Sequence, residues 1–178
     1  MWTANAATMT PSLDTEDGKV HFTAANLVNK FHRTIEADQT SLVLKKIFRD
    51  EKYFVHHAPL TAHEFFGDEG AANHTRLCPQ HSRLGLHVFV YGWSAFDKKK
   101  RSPKKFPARQ SLEASLAISR QHGIKKDQAL FLQQNPAVID AGVFHNDVIA
   151  VGNESFLFCH EKAFLTQNAA LKNLQKTY

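Results

Sequence analysis

Hydrophobic patterning picks out five short stretches bounded by Gly, Asn or Pro. They are KVHFTAANL (19–27), GLHVFVYG (85–92), ALFLQQN (129–135), DVIAVGN (147–153) and SFLFCH (155–160). Each is rich in β-branched or aromatic residues, which predicts strands. The last two lie close enough to form a hairpin turning over Gly152, Asn153 and Glu154. Three stretches have helical spacing. Residues 40–51 place Leu44, Ile47 and Phe48 on one face, with Thr40 or Ser41 as N-cap. Residues 109–123 set Leu112 and Leu116 one turn apart and end on Gly123, a C-cap residue. From Glu161 onward, Phe164, Leu171 and Leu174 recur at helical intervals. Helices and strands in this order predict an α+β fold, with no literal sequence repeat.

At 178 residues the chain is long enough for one domain with a sizeable core. Hydrophobic residues make up 43% and charged ones 22%, a composition typical of globular proteins. The first residues have neither a basic start nor an apolar run, and no segment approaches the length of a membrane span. Two cysteines do not make a disulfide framework, and the cytoplasm is the expected compartment. The net charge of +5 is local. KKKRSPKK (98–105) holds six basic residues, and without them +5 becomes −1. A solvated surface loop is the expectation there. A nucleic-acid patch is the remote alternative, because no aromatic residue interleaves the run as a stacking platform.

Candidate chemistry starts at GVFHNDVIAVGN (142–153). Residues two apart on a strand share a face, so His145 and Asp147 are expected to project together at the strand's start. Such a pair can move protons and hold a cation. In FFGDEGAANH (65–74), Asp68 and Glu69 lie between two glycines and follow two phenylalanines. Glycines allow a tight turn or close backbone approach, and a carboxylate in apolar surroundings acquires the raised pKa that suits a general acid or base. Cations sit at His32, Arg33 and Arg109, and a guanidinium's planar fork suits carboxylate recognition.

These stretches, together with MWTANAATMTPSLDTEDGKVHFTAANLVNKFHR, FPARQ, QQNPAVIDAGVFHNDVIAVGN and LFCHE, resemble the N-succinylarginine dihydrolases, in the same order along the chain. These enzymes belong to the guanidine-modifying superfamily called penteins. The resemblance covers nearly everything outside residues 93–105. It implies a pentein α/β propeller, a ring of ββαβ-type modules around a pseudo-five-fold axis with the active site in the central channel. About two modules would lie in this chain, making residues 1–178 a single incomplete domain. The implied reaction hydrolyses N2-succinyl-L-arginine to N2-succinylornithine, carbon dioxide and two ammonia molecules, without metal or organic cofactor. By resemblance Glu69 and His145 are catalytic. Asp147 holds the substrate guanidinium, and Asn5, His32, Arg33 and Arg109 bind the substrate.

The family's nucleophile is a cysteine near the far C-terminus, so this chain reads as an internal segment carrying no nucleophile. Cys78 and Cys159 are expected to be idle thiols, and with His81 and His160 they make poor zinc spacing. A segment cut from a ring would expose strand edges and apolar faces, so self-association or a complementing chain is expected. The alternative to an enzyme segment is a catalytically inert module that binds arginine-like compounds.

Overall fold

The computed structural model describes residues 5–97 and 99–178; Lys98, which opens the basic run, and residues 1–4 lie outside them. β1 (Ala7–Thr10) pairs antiparallel with β2 (Val20–Ala24). The chain then passes through α1 (Phe31–Thr34) and α2 (Glu36–Ile47) and returns as β3 (Phe54–His57), parallel to β2. The same order follows again. β4 (His74–Leu77) pairs antiparallel with β5 (Leu86–Tyr91), α3 (Leu112–Gln121) crosses over, and β6 (Ala129–Gln133) lies parallel to β5. After the short α4 (Pro136–Asp140), β7 (Ala150–Asn153) and β8 (Phe156–Cys159) form a hairpin followed by α5 (Gln167–Thr177). The chain is thus α+β, with two β-β-α-β units and the β-β-α opening of a third.

The second unit has the most apolar core. Alternate residues of β5 face opposite ways. Leu86, Val88 and Val90 pack with Leu130 and Leu132 beneath α5, whereas Phe89 packs with Ala114 and Ile118 of α3. Burying an aliphatic side chain of this kind contributes roughly 1.5–3 kcal/mol. α3 starts at Ser111, whose hydroxyl accepts from Ala114 N–H, and ends at Gly123 in the left-handed region (φ +63°). Its buried face is Ala114, Ser115, Ile118 and Ser119 rather than Leu112 and Leu116, because small residues let it lie close to the sheet. α2 begins at Glu36, ahead of the expected Thr40 or Ser41, and buries Ala37 and Ser41. Ile47 is exposed, while Phe48 leaves the helix and stacks on Phe22. Phe164 precedes α5 and is buried where it bridges Gln134. The hairpin turns over Glu154 and Ser155, with Asn153 paired to Phe156.

The strand expected over 147–153 starts only at Ala150. Residues Asn146–Val148 form a 3-10 turn closed by Ile149 N–H donating to Asn146 O. The side chains of His145 and Asp147 therefore share no strand face.

The first two units are joined by buried polar groups. His122, at the end of α3, is fully buried and pairs through its two ring nitrogens with the hydroxyls of Thr10 and Thr23, each at 2.7 Å. Asp14, between β1 and β2, accepts from Gly85 N–H and His87 Nε2 (2.9 Å each) and from the Arg76 guanidinium. Burial alone would raise the Asp14 pKa, but these donors outweigh it and hold the carboxyl below its usual range. The basic loop is tied to the body of the protein. Asp140 accepts the backbone N–H groups of Lys104, Lys105 and Phe106, and Lys100 Nζ donates to the Tyr91 hydroxyl.

This histidine-rich core makes stability depend on pH. Burial lowers the pKa of His122 to about 2 and that of His74 well below 6.5; His57 is lowered too. An unfolded chain takes up these protons near pH 6.5 and the folded one does not, so stability is present above that pH and lost below it. Asp68, raised to about 7 by burial, works in the opposite sense over the same range. His122 and His74 against Asp68 leave about one net proton, or roughly 1.4 kcal/mol lost per pH unit below 6. Thermal melts from pH 7.5 down to 5 should show a falling midpoint; a flat or rising midpoint would refute this account.

Candidate active site

The site is built on the turn 67–70, which threads between two other backbone segments. Asp68 and Asn26 exchange backbone hydrogen bonds at 3.0 Å in each direction, and Ser111 N–H donates to Gly67 O at 3.0 Å. A Cβ on Gly67 would lie 2.8 Å from Arg109 O, and one on Gly70 would lie 2.5 Å from Asn5 O. Gly70 also adopts φ +62°, a conformation that costs other residues about 1–2 kcal/mol. Neither position has room for a side chain. Two side chains complete the clamp: Asp68 Oδ1 accepts from Gly70 N–H (3.1 Å), and Gln110 Oε1 accepts from Glu69 N–H (2.8 Å). Gln110 also donates to the Ser115 hydroxyl at 3.1 Å, which links the turn to the first turn of α3.

Glu69 is thereby buried to 2% exposure, with its carboxylate facing His145 and Arg109. Its Oε2 lies 3.1 Å from His145 Nδ1 and its Oε1 3.7 Å from Arg109 Nη1. Neither Oε1 nor Nδ1 makes an aligned hydrogen bond. Arg109 Nη1 donates to His145 Nε2 at 2.8 Å. Arginine has no acceptor, so Nε2 must accept and the ring proton sits on Nδ1, toward Glu69. The guanidinium stacks over the Phe144 ring, 4.7 Å from its centroid.

His145 is positioned through the residue that follows it. Asn146 N–H donates to Asn73 Oδ1, and Asn73 Nδ2 donates to Val90 O of β5. Burial raises the Asp68 pKa to about 7, with the neighbouring Glu69 charge adding to it. Beside the cluster, a cleft of about 500 Å³ is lined by Arg109, Val28, Asn29, Trp93 and Pro107.

The structure therefore brings together Glu69, His145 and Arg109. Asn5, in the left-handed region (φ 58°), borders them through its carbonyl at Gly70. His32 is exposed on α1, and Arg33 Nε donates to Glu36 Oε2 at 2.9 Å. Asp147 is exposed, and the 3-10 turn buries Asn146 in its place. Cys78 is buried beyond the far end of β4, and Cys159 packs into the core beneath α5, where Gln167 donates to its sulfur. Gln110, Asn73 and Asn146 lie inside the stretches FPARQ, FFGDEGAANH and GVFHNDVIAVGN, but the sequence assigns no role to them; their burial and hydrogen bonds in the folded chain reveal it.

A buried carboxylate facing an imidazole can exchange a proton with a bound ligand, and its unpartnered oxygen suits an N–H-rich cation. The fold and site together define an α+β protein with a carboxylate–imidazole pair set among successive β-β-α units. The chain belongs to the succinylarginine dihydrolase family, whose sequence profile matches residues 1–178. It is 59% identical over all its 178 residues to an N-succinylarginine dihydrolase of Aliivibrio fischeri strain MJ11. Proteins of the same name from Pseudoalteromonas atlantica and Aeromonas hydrophila are 57% and 56% identical over the same span. In each case the chain spans 40% of the relative's length.

If the threaded turn holds the site, Gly70→Ala should destabilise the fold by about 2–4 kcal/mol through backbone strain and the clash with Asn5 O. Urea unfolding would measure this; a loss below about 1 kcal/mol would show that the turn has slack.

Proposed function

We propose that this chain carries the acid–base part of a hydrolase acting on N2-succinyl-L-arginine. The reaction consumes two waters and yields N2-succinylornithine, carbon dioxide and two ammonia molecules. A thiolate attacks the guanidinium carbon and the first ammonia leaves; one water adds and the second ammonia leaves, giving a thiocarbamate; a second water breaks its carbon–sulfur bond, returning the thiolate and a carbamate that splits into N2-succinylornithine and carbon dioxide. Glu69 and His145 move the protons, and the unpartnered Glu69 Oε1 receives a substrate N–H. The family resemblance assigns Asp147 to grip the guanidinium and Asn5, His32, Arg33 and Arg109 to bind the rest of the substrate, the cations meeting its two carboxylates.

One observation carries this reading. Asn5, Glu69 and His145 each lie just ahead of the first strand of their unit, β1, β4 and β7, and Glu69 and His145 meet there. Successive units delivering side chains to one point suit a pentein ring with a central channel. The positions of Cys78 and Cys159 support a nucleophile supplied from outside these residues. Val151, Phe156 and Phe158 are 58–69% exposed on the outer face of the β7–β8 hairpin, which supports a covering polypeptide or a second copy. Without that thiolate the chain binds substrate and does not turn it over.

Calorimetry with N2-succinylarginine and an ammonia-release assay test this together. Binding that Glu69→Gln weakens at least about tenfold, without ammonia release, is expected. Ammonia release by the purified chain, abolished in Glu69→Ala, would instead make Cys78 or Cys159 the nucleophile.

A further inference from the structure

We infer that Arg109 is an internal latch, its own guanidinium occupying the Glu69–His145 pair until a ligand's guanidinium displaces it. This rests on the reading of the pair as a guanidinium site. Three contacts hold the latch: the 2.8 Å bond to His145 Nε2, the 3.7 Å approach to Glu69 Oε1, and the Phe144 ring 4.7 Å away. Arg109 thus touches the groups that would receive a guanidinium ligand.

The fit is incomplete, as a releasable contact requires. Glu69 is 2% exposed, yet its Oε1 has no hydrogen-bond donor, and His145 Nδ1 also lacks an aligned partner. A guanidinium brought by a free ligand can approach at hydrogen-bonding distance, whereas Arg109 reaches the site from a constrained backbone. Its carbonyl is packed against Gly67, and the next residue, Gln110, is buried and bonded to Glu69 N–H. Only the side chain can move. The cleft that Arg109 also lines offers it a place to go, and Asn29 Oδ1, a buried acceptor without a partner, belongs to that cleft's lining.

An internal competitor lowers apparent affinity by the fraction of time the site is free. The probe is the bare guanidinium ion at millimolar concentration. It carries no carboxylate, so a role for Arg109 in carboxylate binding does not enter. With the latch removed in Arg109→Met, guanidinium should bind roughly fivefold or more tighter than to the unaltered chain. In the unaltered chain, the Arg109 Nε–H resonance should shift as guanidinium is titrated in. Equal or weaker binding by a folded Arg109→Met overturns the latch and leaves the guanidinium site standing. No binding by either protein overturns the site and the latch together. Should Arg109→Met fail to fold, the unaltered chain decides: binding that leaves the Nε–H signal unmoved overturns the latch.

Discussion

Everything at the candidate site depends on the close passage of three backbone segments. The turn 67–70 runs between Asn5 and Arg109 with space for hydrogen atoms only at Gly67 and Gly70. That packing fixes where Glu69 points, because its N–H is tied to Gln110 and its neighbours to Asn26 and Ser111. A long polar side chain holds one orientation when the backbone beneath it cannot shift. Here the rigidity comes from glycine's missing Cβ rather than from a large apolar core.

Polar junctions extend this logic across the chain. Neighbouring units meet through His122 between two threonines, Asp14 among three donors, and Asn73 between Val90 and Asn146. Directional bonds set the rotation between units more narrowly than apolar contact does, and removing one partner strands a buried polar group. Residues from separate units can therefore meet within 3.1 Å at Glu69 and His145. One of these junctions holds the buried His122, whose pKa burial lowers to about 2, so it serves both the fit between units and the response to acid.

The legibility of the sequence follows from this chemistry. β5 and β6 were readable because Leu86, Val88, Val90, Leu130 and Leu132 form an apolar layer. β1, β3 and β4 were not, because their sequences are ATMT, FVHH and HTRL, with buried Thr8 and Thr10 and an Arg76 that pairs with Asp14. Hydrophobic patterning cannot see a strand whose inward side chains are hydroxyls and imidazoles. At the site, the glycines around Asp68 and Glu69 signalled a constrained turn, and burial does raise the Asp68 pKa to about 7. The shared-face argument for His145 and Asp147 failed because a hydrogen-bonded turn closes on Asn146 before the strand begins. Specific roles for Glu69 and His145 came from family resemblance; spacing alone offered no distance between residues 76 positions apart.

A crystal structure of this chain with N2-succinylarginine bound would locate the ligand directly. The ligand's guanidinium should lie between Glu69 and His145, with an N–H directed at Glu69 Oε1. Ligand density elsewhere, with the Glu69–His145 pair untouched, would contradict that placement.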